Sequence, residues 1–328
     1  MMNGIINVYK ETGYTSHDVV AKMRGICKQK KIGHTGTLDP EATGVLPVCL
    51  GTGTKLCDML TDKEKEYVTE LLLGVETDTQ DMTGTVLRES KVDVTAEQVE
   101  KVIKGFEGTY DQIPPMYSAL KVNGKKLYEL ARNGIEVERK ARPVTIREIE
   151  ILEIRLPFIR MRVVCSKGTY IRTLCSDIGS RLGCGAAMQT LERTRVGKFR
   201  VENAYTLAQI EKIRDEEGLE QILFPVESAF DGTDRLCVIA SCDKLLRNGN
   251  KIPEDGIGKR VHEEDKLNDN GCIVADNDRF HVAAKDMSEG SGRSKLVRMC
   301  TSNGEFLGVY EYDYAQQNYM PVKMFLEQ

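Results

Sequence analysis

The stretch Phe158–Gly183 reads FIRMRVVCSKGTYIRTLCSDIGSRLG and changes its period halfway. Ile159, Met161, Val163 and Cys165 alternate with Arg160 and Arg162, the pattern of a half-buried strand. Beyond Ser166–Thr169, the apolar residues Ile171, Leu174, Cys175, Ile178 and Leu182 fall at helical spacing, and Gly183 ends the run. A strand leading into a helix would suit a doubly wound sheet if the unit recurred. It does not recur. GIINVYK (Gly4–Lys10) and EYVTELLLG (Glu66–Gly74) read as strands. Helices are predicted after Thr15, whose capping box closes on Asp18, after Thr95, with Gln98, and after Thr206. Strands and helices therefore interleave without a regular βαβ repeat, which predicts an α+β fold built on a mixed or antiparallel sheet.

The chain has 328 residues, of which 41% are apolar, enough for two domains with sizeable cores. From Asp231 onward the elements shorten and Gly, Asn and Asp become frequent, as in RNGNKIPEDGIGK, DNDRF and EGSGRS. The expectation is a first domain over 1–232 and a small β-rich domain over 233–328. The net charge of −4 excludes a uniformly basic coat for nucleic acid, but not a basic patch. Ten cysteines are scattered without a C-x-x-C pair, which predicts reduced thiols and a cytoplasmic location. The histidines, His17, His34, His262 and His281, lack zinc-ligand spacing with those cysteines. No apolar run approaches the ~20 residues that span a bilayer, and the N-terminus lacks the pattern of a signal peptide.

Three stretches invite chemistry. GHTGTLDPEATGVLP (Gly33–Pro47) is too interrupted by Gly and Pro for a central strand, and reads as a shaped loop presenting Asp39. The preceding helix sends Lys22, Arg24, Lys28, Lys30 and Lys31 toward that loop, as a phosphate-binding end or a solvated face. Glu76, Asp78 and Asp81 in VETDTQDMTG read as a solvated turn rather than a Mg²⁺ site. From Lys121 to Arg147, eight basic residues face three acids, with Tyr128 interleaved. A basic segment carrying aromatic rings suits a structured RNA, supplying cations for phosphates and ring faces for bases. No Walker A loop, G-x-G-x-x-G or G-x-S-x-G motif is present.

GHTGTLDPEATGVLPVCLGTGTK, YSALKVNGKKLYELARNGIEV and CSKGTYIRTLCSDIGSRLGCGA together resemble the bacterial TruB family of tRNA pseudouridine-55 synthases, in order from about Gly4 to Val226. The resemblance implies a catalytic domain of the pseudouridine synthase type, a basic thumb-like insert over about 108–147, and a PUA-like RNA-binding module at the C-terminus. It implies an enzyme that isomerises uridine 55 of the tRNA T loop without guide RNA, cofactor or metal. The partner is then the T arm of tRNA, with no membrane and no obligate protein partner, and the chain is expected to be a monomer. Asp39 maps onto the essential aspartate and Arg172 onto the arginine that pairs with it and holds its carboxyl below the ordinary range. Tyr67 stacks on the target base, and His34 fills the space that the base leaves. Tyr170 and Leu191 wall the pocket, and Lys10 packs beside it. Lys121, Lys125, Lys126, Arg132 and Arg142 are the expected RNA contacts. The family's Lys-Pro-x-Gly turn is KETG here, with Glu11 in place of proline. The same features would serve a tRNA chaperone without chemistry. The insert speaks against a guide-dependent relative.

Overall fold

The computed structural model describes residues 1–122, 124–261 and 296–326. The chain divides into two compact units, Met1–Leu223 and Phe224–Gln328. The stretches DNDRF and EGSGRS, with His262 and His281, lie outside the described residues.

The first unit is built on a ten-stranded mixed sheet. Its principal strands in chain order are β1 (Gly4–Lys10), β2 (Ile32–His34), β3 (Thr43–Leu50), β4 (Lys65–Leu73), β5 (Gly108–Gln112), β6 (Arg142–Arg155), β7 (Phe158–Cys165) and β8 (Ala186–Val196). Across the sheet they run β1-β3-β8-β4-β7-β6-β5, with β2 beside the end of β3. The β3–β8 pair is parallel and the others named are antiparallel. The predicted α+β class is thus the observed one.

The local signals act as expected. Helix α1 (Ser16–Ile26), helix α2 (Ala96–Lys104) and helix α4 (Leu207–Glu216) each start on the predicted capping box. Helix α3 (Ile171–Leu182) stops at Gly183, whose φ of 78° is the left-handed end that glycine adopts without strain. Ile171, Leu174, Cys175 and Ile178 of α3 bury among Leu71 and Leu73 of β4 and Met161 and Val163 of β7. Each such side chain contributes about 1.5–3 kcal/mol relative to leaving it in water. A second cluster joins Val19, Met23 and Ile26 of α1 with Leu46 and Val48 of β3 and Ile210 of α4. These two cores pin the ends of β2 and β3, and so the loop between them.

Two expectations need correction. Gly33–Pro47 is not one loop: β2 and β3 enter it from both sides, and Pro47 lies inside β3. The carbonyl of Pro47 accepts from the amide of Thr35, where β2 has ended. A residue's N–H points to the same side as its carbonyl in an antiparallel strand, so proline's missing donor falls at that gap and breaks no bond to β1. The basic insert is also shorter than its predicted span. Residues 108–112 and 142–146 pair as β5 and β6 of the main sheet. What projects is residues 113–141, with a small hairpin of Lys121–Val122 against Lys125–Lys126 and a helix, Leu127–Arg132.

Among the described residues, the second unit is a six-stranded sheet over a core of Leu236, Val238, Leu246, Val297, Met299 and Tyr310, in keeping with the PUA-like module.

Candidate active site

Asp39 stands on the loop of residues 35–42, and the loop is anchored from several directions. Leu38 is buried beside Tyr67, Ile171 and Leu191. Its amide donates to Ser16 Oγ at 2.9 Å, and the Ala42 amide closes a turn on the Asp39 carbonyl at 3.1 Å. Gly44 ends the loop at φ +105°, where an added Cβ would stand 2.2 Å from the Arg193 carbonyl oxygen. Only glycine lets β3 come this close to β8.

The Asp39 carboxylate is gripped by Arg172 of α3, with Nε 3.0 Å from Oδ2 and Nη2 3.3 Å from Oδ1. The same guanidinium donates to the carbonyls of Thr79 (3.1 Å) and Tyr117 (2.8 Å) and lies 3.4 Å from Asp81 Oδ2. The other oxygen of Asp81 accepts from the amide of Thr83 and the hydroxyls of Thr79 and Thr83. Asp81 is therefore not the solvated turn acid that its sequence context suggests. It is a buried second carboxylate on Arg172, 9% exposed. This changes the electrostatics predicted for Asp39. The Asp39 side chain keeps 39% of its surface open, yet the surrounding protein desolvates it. Desolvation raises its pKa above the ordinary value, Arg172 opposes the rise, Asp81 adds to it, and Lys10 opposes it. A guanidinium shared by two acids offsets less than one that serves a single acid.

Tyr67 and Arg193 are register partners on β4 and β8. Burial pushes the Tyr67 phenol up to about 12, and Arg193, which hydrogen-bonds it, pulls the other way. Leu191 packs in the same cluster as Tyr67 and Leu38. Tyr170 caps α3, and its backbone exchanges two hydrogen bonds with the Gln112 side chain at 2.8 and 3.1 Å. His34 meets His17 edge-on at 5.6 Å, and its buried Nδ1 has no partner. Burial lowers the His34 pKa, so the ring is neutral at pH 7.

Lys10 is placed behind the loop. It is fully buried, and its Nζ donates to the carbonyls of Ala42 (2.6 Å), Pro40 (2.9 Å) and Glu11 (3.1 Å). Glu11, standing where the family has proline, leaves this clamp formed. Burial lowers the Lys10 pKa to about 8, against the pull of Glu41 and Asp39. Activity and stability should then respond oppositely to pH. Losing the proton above about 8 removes a donor from the loop and a cation near Asp39, so the rate falls. The folded value lies below the unfolded 10.5, so protonation destabilises the fold, and Lys10's contribution to stability rises between about 8 and 10.5. Lys65 is lowered to about 8 as well, so the measurement is the difference between native protein and Lys10→Met in rate and thermal unfolding across that window. Superimposable pH profiles would remove Lys10 from this role.

Of the expected RNA contacts, Lys121, Lys125, Lys126 and Arg132 stand on the insert, and Arg142 stands at the start of β6. Lys121, Lys125, Arg132 and Arg142 are exposed, and Lys126 Nζ and the Arg132 guanidinium lie 5.3 and 5.4 Å from the Tyr128 ring centre. Among the described residues no cluster of His, Cys, Asp and Glu could hold a metal ion, and no helix is long and apolar enough to cross a membrane.

Sequence comparison adds the following. Residues 24–171 match the model for the TruB family pseudouridylate synthase N-terminal domain, and residues 172–231 match that for the tRNA pseudouridylate synthase B C-terminal domain. The tRNA pseudouridine synthase B of Lachnoclostridium phytofermentans is 50% identical over 99% of this chain and 100% of its own. That of Clostridium tetani is 46% identical over 90% of this chain and 100% of its own. Among solved structures, a Cbf5–Nop10–Gar1 complex superposes with a TM-score of 0.69 at 28% identity, covering 99% of this chain and 85% of the other.

Proposed function

Because the chain belongs to the TruB family of pseudouridylate synthases, an isomerase family acting on tRNA, we propose that its target is uridine 55 of the T loop and that Asp39 is the acid that acts on it. The observation that carries this reading is the Asp39 carboxylate, held on two nitrogens of Arg172 while 39% of its side chain stays open.

The reaction breaks the bond from ribose C1′ to N1 of uracil and forms one from C1′ to C5. The C5 proton leaves and N1 ends protonated, so the atoms balance without an oxidant or second substrate. An ionised Asp39 serves at the ribose, by attacking C1′, by stabilising its positive charge or by taking the 2′ proton. A uridine stacked in its loop is out of reach and must be flipped, at a cost of a few kcal/mol. Stacking on Tyr67 offsets about 1–3 kcal/mol of that cost, and His34 fills the vacated space. Leu191 and Tyr170 exclude water around the base.

The enzyme works alone in the cytoplasm, as a monomer without guide RNA. The basic insert supports this over the guide-dependent reading, because it supplies the chain's own grip on the T arm. Incubating the protein with unmodified tRNA transcript, without guide RNA, ATP or metal, and mapping pseudouridine is the test. Product at position 55 is expected, and none there would sink the proposal. Changing Lys121, Lys125, Lys126 and Arg132 together to Gln should flatten log affinity against log salt by up to ~0.9 per lost duplex contact. An unchanged slope would take the insert off the RNA.

A further inference from the structure

Arg193 is 1% exposed and is the largest fully buried side chain among the described residues. Its Nε donates to the Val45 carbonyl at 2.7 Å, Nη2 donates to the Gly36 carbonyl at 3.3 Å, and the phenol of Tyr67 is its side-chain partner. Among the described residues no carboxylate lies within ion-pair distance of it. Its charged neighbours are cations instead, and its charge lowers the pKa of both Lys10 and Lys65. A buried charge without a counter-ion is costly, and apolar side chains of similar size commonly replace such groups without loss of stability. A fold keeps a local violation of this kind where function needs it.

What Arg193 touches identifies that need. Gly36 and Val45 bracket the Asp39 loop, and Tyr67 lies directly across the sheet from Arg193. Leu191 and Arg193 share a strand face, because alternate residues point the same way. The guanidinium is thus placed under the pocket floor, joining the carrier of Asp39 to the phenol of Tyr67. We infer that Arg193 is a positioning residue: it fixes the Tyr67 oxygen relative to the Asp39 loop and offsets negative charge on that oxygen while the base is rearranged. The inference rests on the reading that Tyr67 lies against the target uridine. The carbonyl contacts alone would make Arg193 a structural brace, and the phenol contact distinguishes the two roles. A brace needs no partner that titrates, and Tyr67 feels the charges of both Arg193 and Asp39.

The test uses full-length Arg193→Met, which keeps volume without charge, and Arg193→Lys, which keeps charge without the planar fork. Single-turnover rates at saturating tRNA, tRNA affinity, and the titration of Tyr67 followed by ¹³C-tyrosine NMR (assigned with Tyr67→Phe) are measured for each. Arg193→Met should bind tRNA within about threefold of native and react at least about a hundredfold more slowly, with Arg193→Lys recovering at least about tenfold of that loss. The Tyr67 signal should titrate at higher pH in Arg193→Met. A Met variant that reacts within about threefold of native overturns the inference, as does one whose rate and affinity fall together. An unmoved Tyr67 titration overturns it too. If Arg193→Met does not fold, Arg193→Gln, which keeps donors for the carbonyls without the charge, decides: a Gln variant with native rate and native Tyr67 titration leaves only the brace. Failure of the functional reading would look different, since native protein would then make no pseudouridine while the Tyr67 titration still reported on Arg193.

Discussion

Asp39→Asn is expected to fold, to bind tRNA within about threefold of the native protein and to isomerise at least about a thousandfold more slowly, the scale on which a positioned acid or base acts. Folding should survive because little of the loop's shape depends on the carboxylate. Lys10 holds the carbonyls of Pro40 and Ala42, Arg193 holds those of Gly36 and Val45, and Leu38 buries beside Tyr67. Affinity should survive because the exposed cations of the insert stand apart from the carboxylate. Chemistry should not survive, because an amide neither ionises nor attacks. In the native enzyme the same carboxyl should set the acid limb of the rate profile, and that limb should lie above 3.8, because desolvation and Asp81 raise Asp39 more than Arg172 and Lys10 lower it. A variant retaining a tenth of the rate would show that Asp39 is not the reacting acid.

Local chemistry made most of the frame legible. Thr15, Thr95 and Thr206 announce their helices because each satisfies amides within its own first turn, which needs no distant partner. Ile159, Met161 and Val163 announce their strand because burial on one face imposes a period of two. What stayed hidden depends on partners far along the chain. Pro47 argues against a central strand until the gap between β2 and β8 is seen. Asp81, in a turn crowded with acids and threonines, acquires its role only when α3 brings Arg172 to it. Arg193 and Arg195 look alike in LERTRV, two residues apart as on one solvent face. A bulge between them pairs Arg193 with Tyr67 but Arg195 with Glu66, sending the two to opposite faces. Arg195 then meets Glu64 at 2.9 Å, while Arg193 turns into the site. Nothing in the composition of that strand reveals the bulge.

Arg172→Met should damage both stability and turnover, and the two losses share one cause. The guanidinium answers Asp39 through Nε and Nη2 and Asp81 through Nη1, and its side chain is 6% exposed. Removing it leaves two carboxylates facing one place with no cation between them. Breaking such a pair costs about 3 kcal/mol, the lower end of the buried range because Asp39 keeps part of its surface in water. Like charges so close cannot both ionise easily, so a proton is taken up and the Asp39 pKa, already raised, rises further. At pH 7 less of the enzyme then carries the reacting carboxylate, and the carboxylate that remains is no longer oriented. A rate loss of at least about a hundredfold is expected, partly reversed as pH rises. Arg172→Lys should fall between, because one ammonium point charge cannot span both oxygens of Asp39 and reach Asp81 as well. The decisive comparison is Arg172→Met with and without Asp81→Asn. Removing the second charge relieves the repulsion, so the double variant should regain stability in urea unfolding and its acid limb should return to lower pH. If the acid limb of Arg172→Met stays where the native limb lies, or Asp81→Asn fails to move it, the two acids are not coupled through Arg172.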